Sequence, residues 1–140
     1  MSKRPYSLAL VQLALNSTRV DTLDTSDFPF RLYVDGTPQA CCVKEAASFW
    51  RRLRGLLFSP PLALDQALWI RSCNSIHMIG MRFAIDAAFL DGNGMVLQVN
   101  RSLLPWRMAA CWAASSVVEL ASGACEIYGI QPGVKLSIKG

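Results

Sequence analysis

The chain has 140 residues and a mass of 15.4 kDa, a length that favours one domain over two. Hydrophobic residues make up 52% of it and charged residues 17%, which excludes intrinsic disorder because so apolar a chain can bury enough surface to fold. Fourteen Lys and Arg against ten Asp and Glu leave a net charge of +4, a mild basic balance, with a single His.

The first residues resemble a short signal peptide only in part. Lys3 and Arg4 precede the apolar run Leu8–Leu15, as in the core of a signal sequence. Gln12 interrupts that run, however, and no small-residue cleavage site follows it. We therefore expect a cytoplasmic protein, with export as the alternative.

A polar stretch separates this segment from the rest of the chain. Residues 21–30 hold three Asp among Ser and Thr, a composition typical of a linker. We expect residues 1–30 to be an N-terminal extension or linker and residues 31–140 to form a single β-rich domain. No run is long and apolar enough to span a membrane.

One α-helix is predicted, near residues 46–58. Its apolar side chains recur at i, i+4, i+7 and i+8 and so form one stripe: Phe49, Leu53, Leu56 and Leu57. The pair Pro60-Pro61 cannot continue a helix and ends it.

The remaining periodicity is that of β-strands. Asp91-Gly92-Asn93-Gly94 is a strong hairpin turn between two of them. The predicted strands are Arg31–Val34, Cys41–Val43, Ala67–Arg71, one long run Ser75–Leu90 with a bulge at Gly80, Met95–Asn100, Ser116–Leu120, Ala124–Ile127 and Val134–Ile138. Short strands with one helix predict a mainly β protein (α+β at most), a compact antiparallel β-sandwich or barrel.

The cysteines argue against a disulfide framework. Five is an odd number, so they cannot all be paired within one chain. Their spacing contains no C-x-x-C pair and no zinc quartet. We interpret them as buried thiols of a reducing compartment, and we expect no cofactor and no metal.

His77 is the first candidate for chemistry. Together with Cys73 and Met81 it offers the donor atoms of a copper site. In a strand, however, positions four apart are separated by about 13 Å, which disfavours both a shared metal and a Cys–His nucleophile pair. A structural histidine is the favoured interpretation.

Two carboxylates lie in apolar strands. Asp86 needs a partner because an unpaired buried charge is too costly, and a neighbouring strand or Arg52 or Arg54 would supply it. A structural ion pair is favoured over a functional acid in a cleft. Glu119 is a similar case, and the two carboxylates together remain a candidate pair for acid–base hydrolysis.

An aromatic and a guanidinium group are adjacent at Trp106 and Arg107, directly after Pro105. Such a pair can stack on a base or a sugar. Nucleic acid is nevertheless an unfavoured partner, because no cluster of Lys accompanies them. The sequence has neither a phosphate-binding glycine loop nor a G-x-S-x-G elbow.

Several motifs occur in a recognisable order. They are Arg52-Leu53-Arg54-Gly55-Leu56-Leu57, Cys73-x-x-Ile76-His77-x-x-Gly80-Met81-Arg82-Phe83-x-Ile85-Asp86, Leu104-Pro105-Trp106-Arg107, and Glu119-Leu120-Ala121-x-Gly123. In these motifs the chain resembles the bacterial and archaeal family called domain of unknown function 192, over about residues 43–138. The resemblance implies a compact, mainly β domain with one short helix, and it implies no activity.

We interpret the chain as a binding or accessory module for a small polar or anionic ligand or a protein partner. The candidate cleft consists of Arg54, His77, Arg82, Asp86, Trp106, Arg107 and Glu119. The resemblance further implies structural roles for Gly55, Met81, Pro105 and Gly123. A small hydrolase that uses His77 with Asp86 or Glu119 is the alternative, although one His and three Glu provide few proton-transfer groups. A third candidate is an interaction subunit of an envelope or secretion system, favoured if Trp side chains form an exposed patch.

Overall fold

The computed structural model describes residues 28–46 and 61–140, and these form nine strands and one short helix. The strands are β1 (Phe30–Val34), β2 (Thr37–Ala46), β3 (Gln66–Arg71), β4 (Ser75–His77), β5 (Ile85–Leu90), β6 (Val96–Leu103), β7 (Met108–Ala110), β8 (Ser116–Ala121) and β9 (Leu136–Lys139), and the helix α1 is Ala124–Ile127. The prediction of a mainly β protein is confirmed. The helix predicted near residues 46–58 lies outside the described residues, apart from Ala46, which ends β2.

Seven strands form one mixed sheet in the order β6-β5-β8-β3-β2-β1-β9. Neighbouring strands are antiparallel except for β2 and β3, which run parallel. The other two strands, β4 and β7, pair with each other as a small antiparallel ribbon. The sheet is not a closed barrel, and the arrangement is compatible with a β-sandwich.

The two edge strands of the large sheet nevertheless meet at one end. Val96 in β6 accepts a hydrogen bond from Gly133 N–H (2.9 Å) and donates one to the carbonyl of Val134 (2.8 Å). Leu136 in β9 donates to the carbonyl of Gly94 (2.9 Å). A Cβ at Gly94 would lie 2.5 Å from the Leu136 carbonyl oxygen, so only glycine allows this approach.

The large sheet is buried on both faces, because alternate side chains of its central strands enter two separate cores. The first core contains Leu32, Val34, Cys41, Val43, Ala67, Trp69, Ala88, Leu90, Val96, Val118, Leu120, Ala124, Cys125, Tyr128, Ile130 and Leu136. The second core, which the β4–β7 ribbon covers, contains Ala46, Leu68, Ile70, Ile76, Met78, Met81, Ile85, Ala87, Phe89, Ala109 and Val117. Burial on both sides explains why β3, β5 and β8 are mostly apolar without the alternation of a half-exposed strand.

The prediction of one extended run over Ser75–Leu90 is wrong. The chain reverses in a turn at Met78–Met81, in which the Met81 N–H donates to the Met78 carbonyl (3.2 Å) and Gly80 has a φ of +79°. Gly80 therefore marks a turn rather than a bulge. Two strands result, and β4 joins the ribbon whereas β5 joins the large sheet.

The prediction of a strand over Ala124–Ile127 is also wrong, because these residues form α1. Over only four residues, the spacing of apolar side chains fits a strand as well as a helix. A contact from the distant strand β5 favours the helix. The N–H groups of Gly123 and Cys125, at the start of the helix, both donate to the carboxylate of Asp86. Donors at a helix N-terminus have no partner within the helix, so this carboxylate favours the helical turn.

Candidate functional site

The β4–β7 ribbon presents one buried and one exposed side. Ile76 of β4 lies opposite Ala109 of β7, and both are buried in the second core. The next pair, His77 and Met108, is exposed because side chains alternate along each strand. His77 therefore lies on the solvent side of the molecule.

Two turns continue from this end of the ribbon, and both are bound to Met78. The turn Leu104–Arg107 is closed by the Arg107 N–H, which donates to the Leu104 carbonyl (3.2 Å). The Met78 N–H donates to the Arg107 carbonyl (2.7 Å), and the Met78 carbonyl accepts from the Trp106 N–H (2.8 Å). The same carbonyl closes the turn Met78–Met81, so the two turns, hereafter the paired turns, are rigidly joined.

Trp106 occupies a backbone conformation that suits glycine. It is the third residue of its turn, after Pro105, and has a φ of +68°. Gly80 occupies the third position of the other turn with a φ of +79°. Proline at the second position and a positive φ at the third are the pattern of a type II turn, in which a residue with a Cβ is strained.

The paired turns and the ribbon end carry an exposed surface that is both apolar and basic. We define the paired-turn surface as the side chains of Ile79, Leu104, Trp106 and Met108 with His77, Arg82 and Arg107. The four apolar members are 55%, 55%, 70% and 74% exposed in that order. Met81 is buried in the second core beneath the turn.

The sequence segments that form this surface carry positively charged side chains and no negatively charged ones. Residues 72–85 and 92–118 contain no Asp or Glu. The ion pairs within the described part of the chain are Arg71–Glu45 (2.7 Å) and Arg101–Glu126 (3.9 Å), so neither Arg82 nor Arg107 is in one there.

Asp86 lies elsewhere, with no exposed surface, at the border of the first core. Its Oδ1 accepts a hydrogen bond from the Ser102 N–H (2.8 Å), and its Oδ2 accepts from Gly123 (3.1 Å) and Cys125 (3.0 Å). Within the described residues its partners are thus backbone amides, and Arg52, one of the guanidinium partners expected from the sequence, lies outside those residues. Arg54, which was one of the expected partners, and Gly55 lie outside the described residues.

Glu119 is buried on the other face of the sheet. It lies opposite Leu68 and Ala87, both members of the second core, whereas Asp86 lies opposite Leu120 of the first core. The two carboxylates therefore project to opposite faces. The structure brings His77, Arg82, Trp106 and Arg107 to one surface and places Asp86 and Glu119 in the interior.

The buried thiols are poor nucleophiles. Burial, together with the neighbouring Cys42 and Asp65, raises the pKa of Cys41 to about 12. Burial and then the Asp86 carboxylate raise the pKa of Cys125 well above its usual range. Both thiols are protonated at neutral pH, and the thiolate is the reactive form. All five cysteines are in the described part of the chain, and no disulfide joins them.

Within residues 28–46 and 61–140, no group of three or more His, Cys, Asp or Glu side chains could hold a metal ion. Two of the copper donors that the sequence suggested differ in their surroundings, because Met81 is buried whereas His77 is exposed. No helix in the same residues is long and apolar enough to cross a membrane.

The sequence indicated only part of this surface. His77, Arg82, Trp106 and Arg107 were candidates, but Ile79, Leu104 and Met108 were not. A signal for them exists, because Gly80 and Pro105 are typical turn residues and turn positions beside them are usually polar. Apolar side chains beside such residues therefore indicate an exposed apolar surface.

Comparison with known proteins identifies the fold and the family. One similar structure is a candidate transcription regulator from Sinorhizobium meliloti 1021, with a TM-score of 0.68 and 20% identity, covering 78% of this chain and 91% of the other. Another is a protein of unknown function from Novosphingobium aromaticivorans DSM 12444, with a TM-score of 0.67 and 17% identity, covering 76% and 83%. At these identities the likeness shows the fold alone. Among curated proteins, none matches the sequence.

A family model settles the resemblance seen in the motifs. The model for domain of unknown function 192, described as "Uncharacterized ACR", matches residues 30–138. This match runs from the first residue of β1 to the third residue of β9. The chain therefore belongs to the domain of unknown function 192 family.

Proposed function

We propose that this chain is a non-catalytic binding module that holds an anionic partner against the paired-turn surface. The observation that carries the proposal is Trp106, which is 70% exposed in a strained backbone conformation that glycine would adopt freely. A large aromatic side chain contributes nothing to the interior from there. A binding role accounts for both its exposure and its strain.

The interior position of the carboxylates supports binding over hydrolysis. A general acid or base must come within hydrogen-bonding distance of its substrate. Both oxygens of Asp86 accept bonds from backbone amides, and Glu119 is only 3% exposed. Asp86 faces the first core, on the side of the sheet away from the β4–β7 ribbon, whereas Glu119 is buried in the second core beneath the ribbon and His77 is exposed on the ribbon's solvent side. A hydrolase that uses His77 with either carboxylate would therefore need a buried group to act together with an exposed one.

The charge of the paired-turn surface supports an anionic partner. Arg82 and Arg107 are exposed, and the segments that carry them lack carboxylates. Two guanidinium groups without a lysine cluster are few for nucleic acid, so a role like that named for the Sinorhizobium meliloti protein is not proposed. We place the chain in the cytoplasm, which its five cysteines without a disulfide support.

The proposal is tested with inorganic polyphosphate as a soluble polyanion. Amide chemical shifts on titration are expected to change at residues 77–82 and 104–108. The double variant Trp106→Gly/Arg107→Gln should bind about tenfold or more weakly by calorimetry, because central aromatic and Arg side chains carry most binding energy. The control Trp112→Gly/Arg31→Gln removes the same chemical groups, an indole and a guanidinium, from other exposed positions. Equal weakening in both double variants, or shifts centred elsewhere, would contradict the proposal.

A further inference from the structure

We infer that the anionic partner is the surface of a lipid bilayer, into which the tips of the paired turns insert. This inference rests on the proposed function and specifies its partner. It starts from the shape of the surface. Ile79 is the second residue of its turn and Trp106 the third of the other, so both side chains project from turn tips. Apolar tips suit insertion into a soft layer, whereas small-ligand sites are concave.

The chemical character of these side chains is that of a membrane interface. Tryptophan has a large apolar ring and one polar N–H, and it concentrates where acyl chains meet head groups. Trp106 is flanked by the exposed apolar side chains of Leu104 and Met108. A soluble polyanion can contact the Trp106 N–H, but it leaves most of the apolar surface of these side chains in water. A bilayer offers them an apolar interior.

The basic residues of the paired-turn surface suit the head-group layer, which lies outside the acyl chains. Arg107 directly follows Trp106, Arg82 directly follows the turn Met78–Met81, and both are exposed. Arginine buries its aliphatic stem beside apolar neighbours while its guanidinium stays with polar groups. Anionic head groups attract each such cation, and no Asp or Glu in residues 72–85 or 92–118 opposes them.

The experiment compares sedimentation of the full chain with vesicles of phosphatidylcholine alone and with vesicles that also contain phosphatidylglycerol. Binding is expected only to the mixed vesicles. Trp106→Gly should weaken it about tenfold or more, through loss of the inserted ring. Arg82→Gln/Arg107→Gln should weaken it about 20-fold, through loss of head-group attraction. Acyl chains brominated near the head group should quench tryptophan emission in the natural chain and much less in Trp106→Phe.

Trp112 provides the matched control. It is 79% exposed, and it follows β7 by two residues whereas Trp106 precedes β7 by two. Trp112→Gly should therefore bind the mixed vesicles like the natural chain. Equal loss in Trp112→Gly and Trp106→Gly would overturn the inference. Binding to polyphosphate without binding to vesicles would overturn the bilayer alone and leave the proposed function standing. Binding to neither probe would overturn both.

Discussion

The buried carboxylate of Asp86 joins three separate parts of the chain. It accepts hydrogen bonds from backbone amides that are 16, 37 and 39 residues away in sequence. One of them belongs to Ser102, whose φ of +49° marks an irregular point in β6. A single buried side chain thus holds together β5, β6 and the start of α1.

Replacement of Asp86 by asparagine should destabilise the protein. An amide group has one acceptor oxygen, so its NH₂ group would face at least one of the backbone N–H donors that Asp86 now satisfies. We expect Asp86→Asn to lower the free energy of unfolding by about 2–3 kcal/mol, measured by urea denaturation.

Asp91→Asn is the control for this change. Asp91 also accepts two backbone N–H bonds, from Asn93 (2.8 Å) and Met95 (3.0 Å), but both reach Oδ1 alone. Asparagine can keep both, so its stability should change by less than about 0.5 kcal/mol. If Asp86→Asn were as harmless as Asp91→Asn, the role assigned to both Asp86 oxygens would be wrong.

The need of Asp86 for a partner was predictable, but the identity of that partner was not. The apolar residues around it in sequence indicate burial, and burial of a carboxylate requires compensation. A neighbouring strand or Arg52 or Arg54 was expected to supply the partner, and the two arginines lie outside the described residues. Backbone amides that converge on one point are not visible in a sequence, since Gly123 and Cys125 reach it only through the pairing of β5 with β8.

At the scale of elements, the two joined turns differ in how well their sequences suit their shapes. Gly80 adopts its positive φ without cost, whereas Trp106 adopts nearly the same φ with a Cβ. A residue with a Cβ pays about 1 kcal/mol or more in this region. The difference makes the strain at Trp106 measurable.

Trp106→Gly should therefore be better tolerated than the same change at an unstrained exposed tryptophan. We expect its free energy of unfolding to be about 1 kcal/mol higher than that of Trp112→Gly, because glycine adds the same entropy to the unfolded chain at both positions and relieves strain only at Trp106, whose ring is 70% exposed. Trp112→Gly is the comparison, since Trp112 has no positive φ and glycine there mainly increases the entropy of the unfolded chain. A loss of stability in Trp106→Gly equal to that in Trp112→Gly would show that the turn is unstrained.

The sequence predicted the central strands β3 and β8 closely. Ala67–Arg71 and Ser116–Leu120 appear as β3 and β8 with nearly the same bounds, because short runs that are mostly apolar are typical of doubly buried strands. The strand β7 was not predicted, since Met-Ala-Ala has no β pattern. It forms because its backbone pairs with β4.

At the scale of the whole molecule, the approach of Gly94 to Leu136 joins the opposite edges of the large sheet. Gly94→Ala should lower the free energy of unfolding by about 3 kcal/mol, through a positive φ and a collision with a carbonyl oxygen. Gly36→Ala shares the positive φ but meets no atom within 4 Å, so it should cost only about 1 kcal/mol. If thermal or urea unfolding showed the same loss of stability in Gly94→Ala and Gly36→Ala, the two sheet edges would separate readily.

This edge-to-edge approach was not predictable from the pattern of apolar residues. Local periodicity gives strands and turns, and it gave the hairpin around Asp91–Gly94 correctly. It contains no information on which distant strands pair. The pairing of β1 with β9 and the parallel pairing of β2 with β3 depend on how the whole sheet curls.

The position of β1 between β2 and β9 has a consequence for how the protein comes to be folded. Arg31 pairs with Lys139, so the edge of β1 that faces β9 has no partner strand until the chain has been synthesised beyond residue 139. Pairing across so long a separation slows folding because a large loop must close first. During that delay β1 presents unpaired amides and carbonyls to other nascent chains. This protein is therefore most prone to aggregate while it is being synthesised at high concentration.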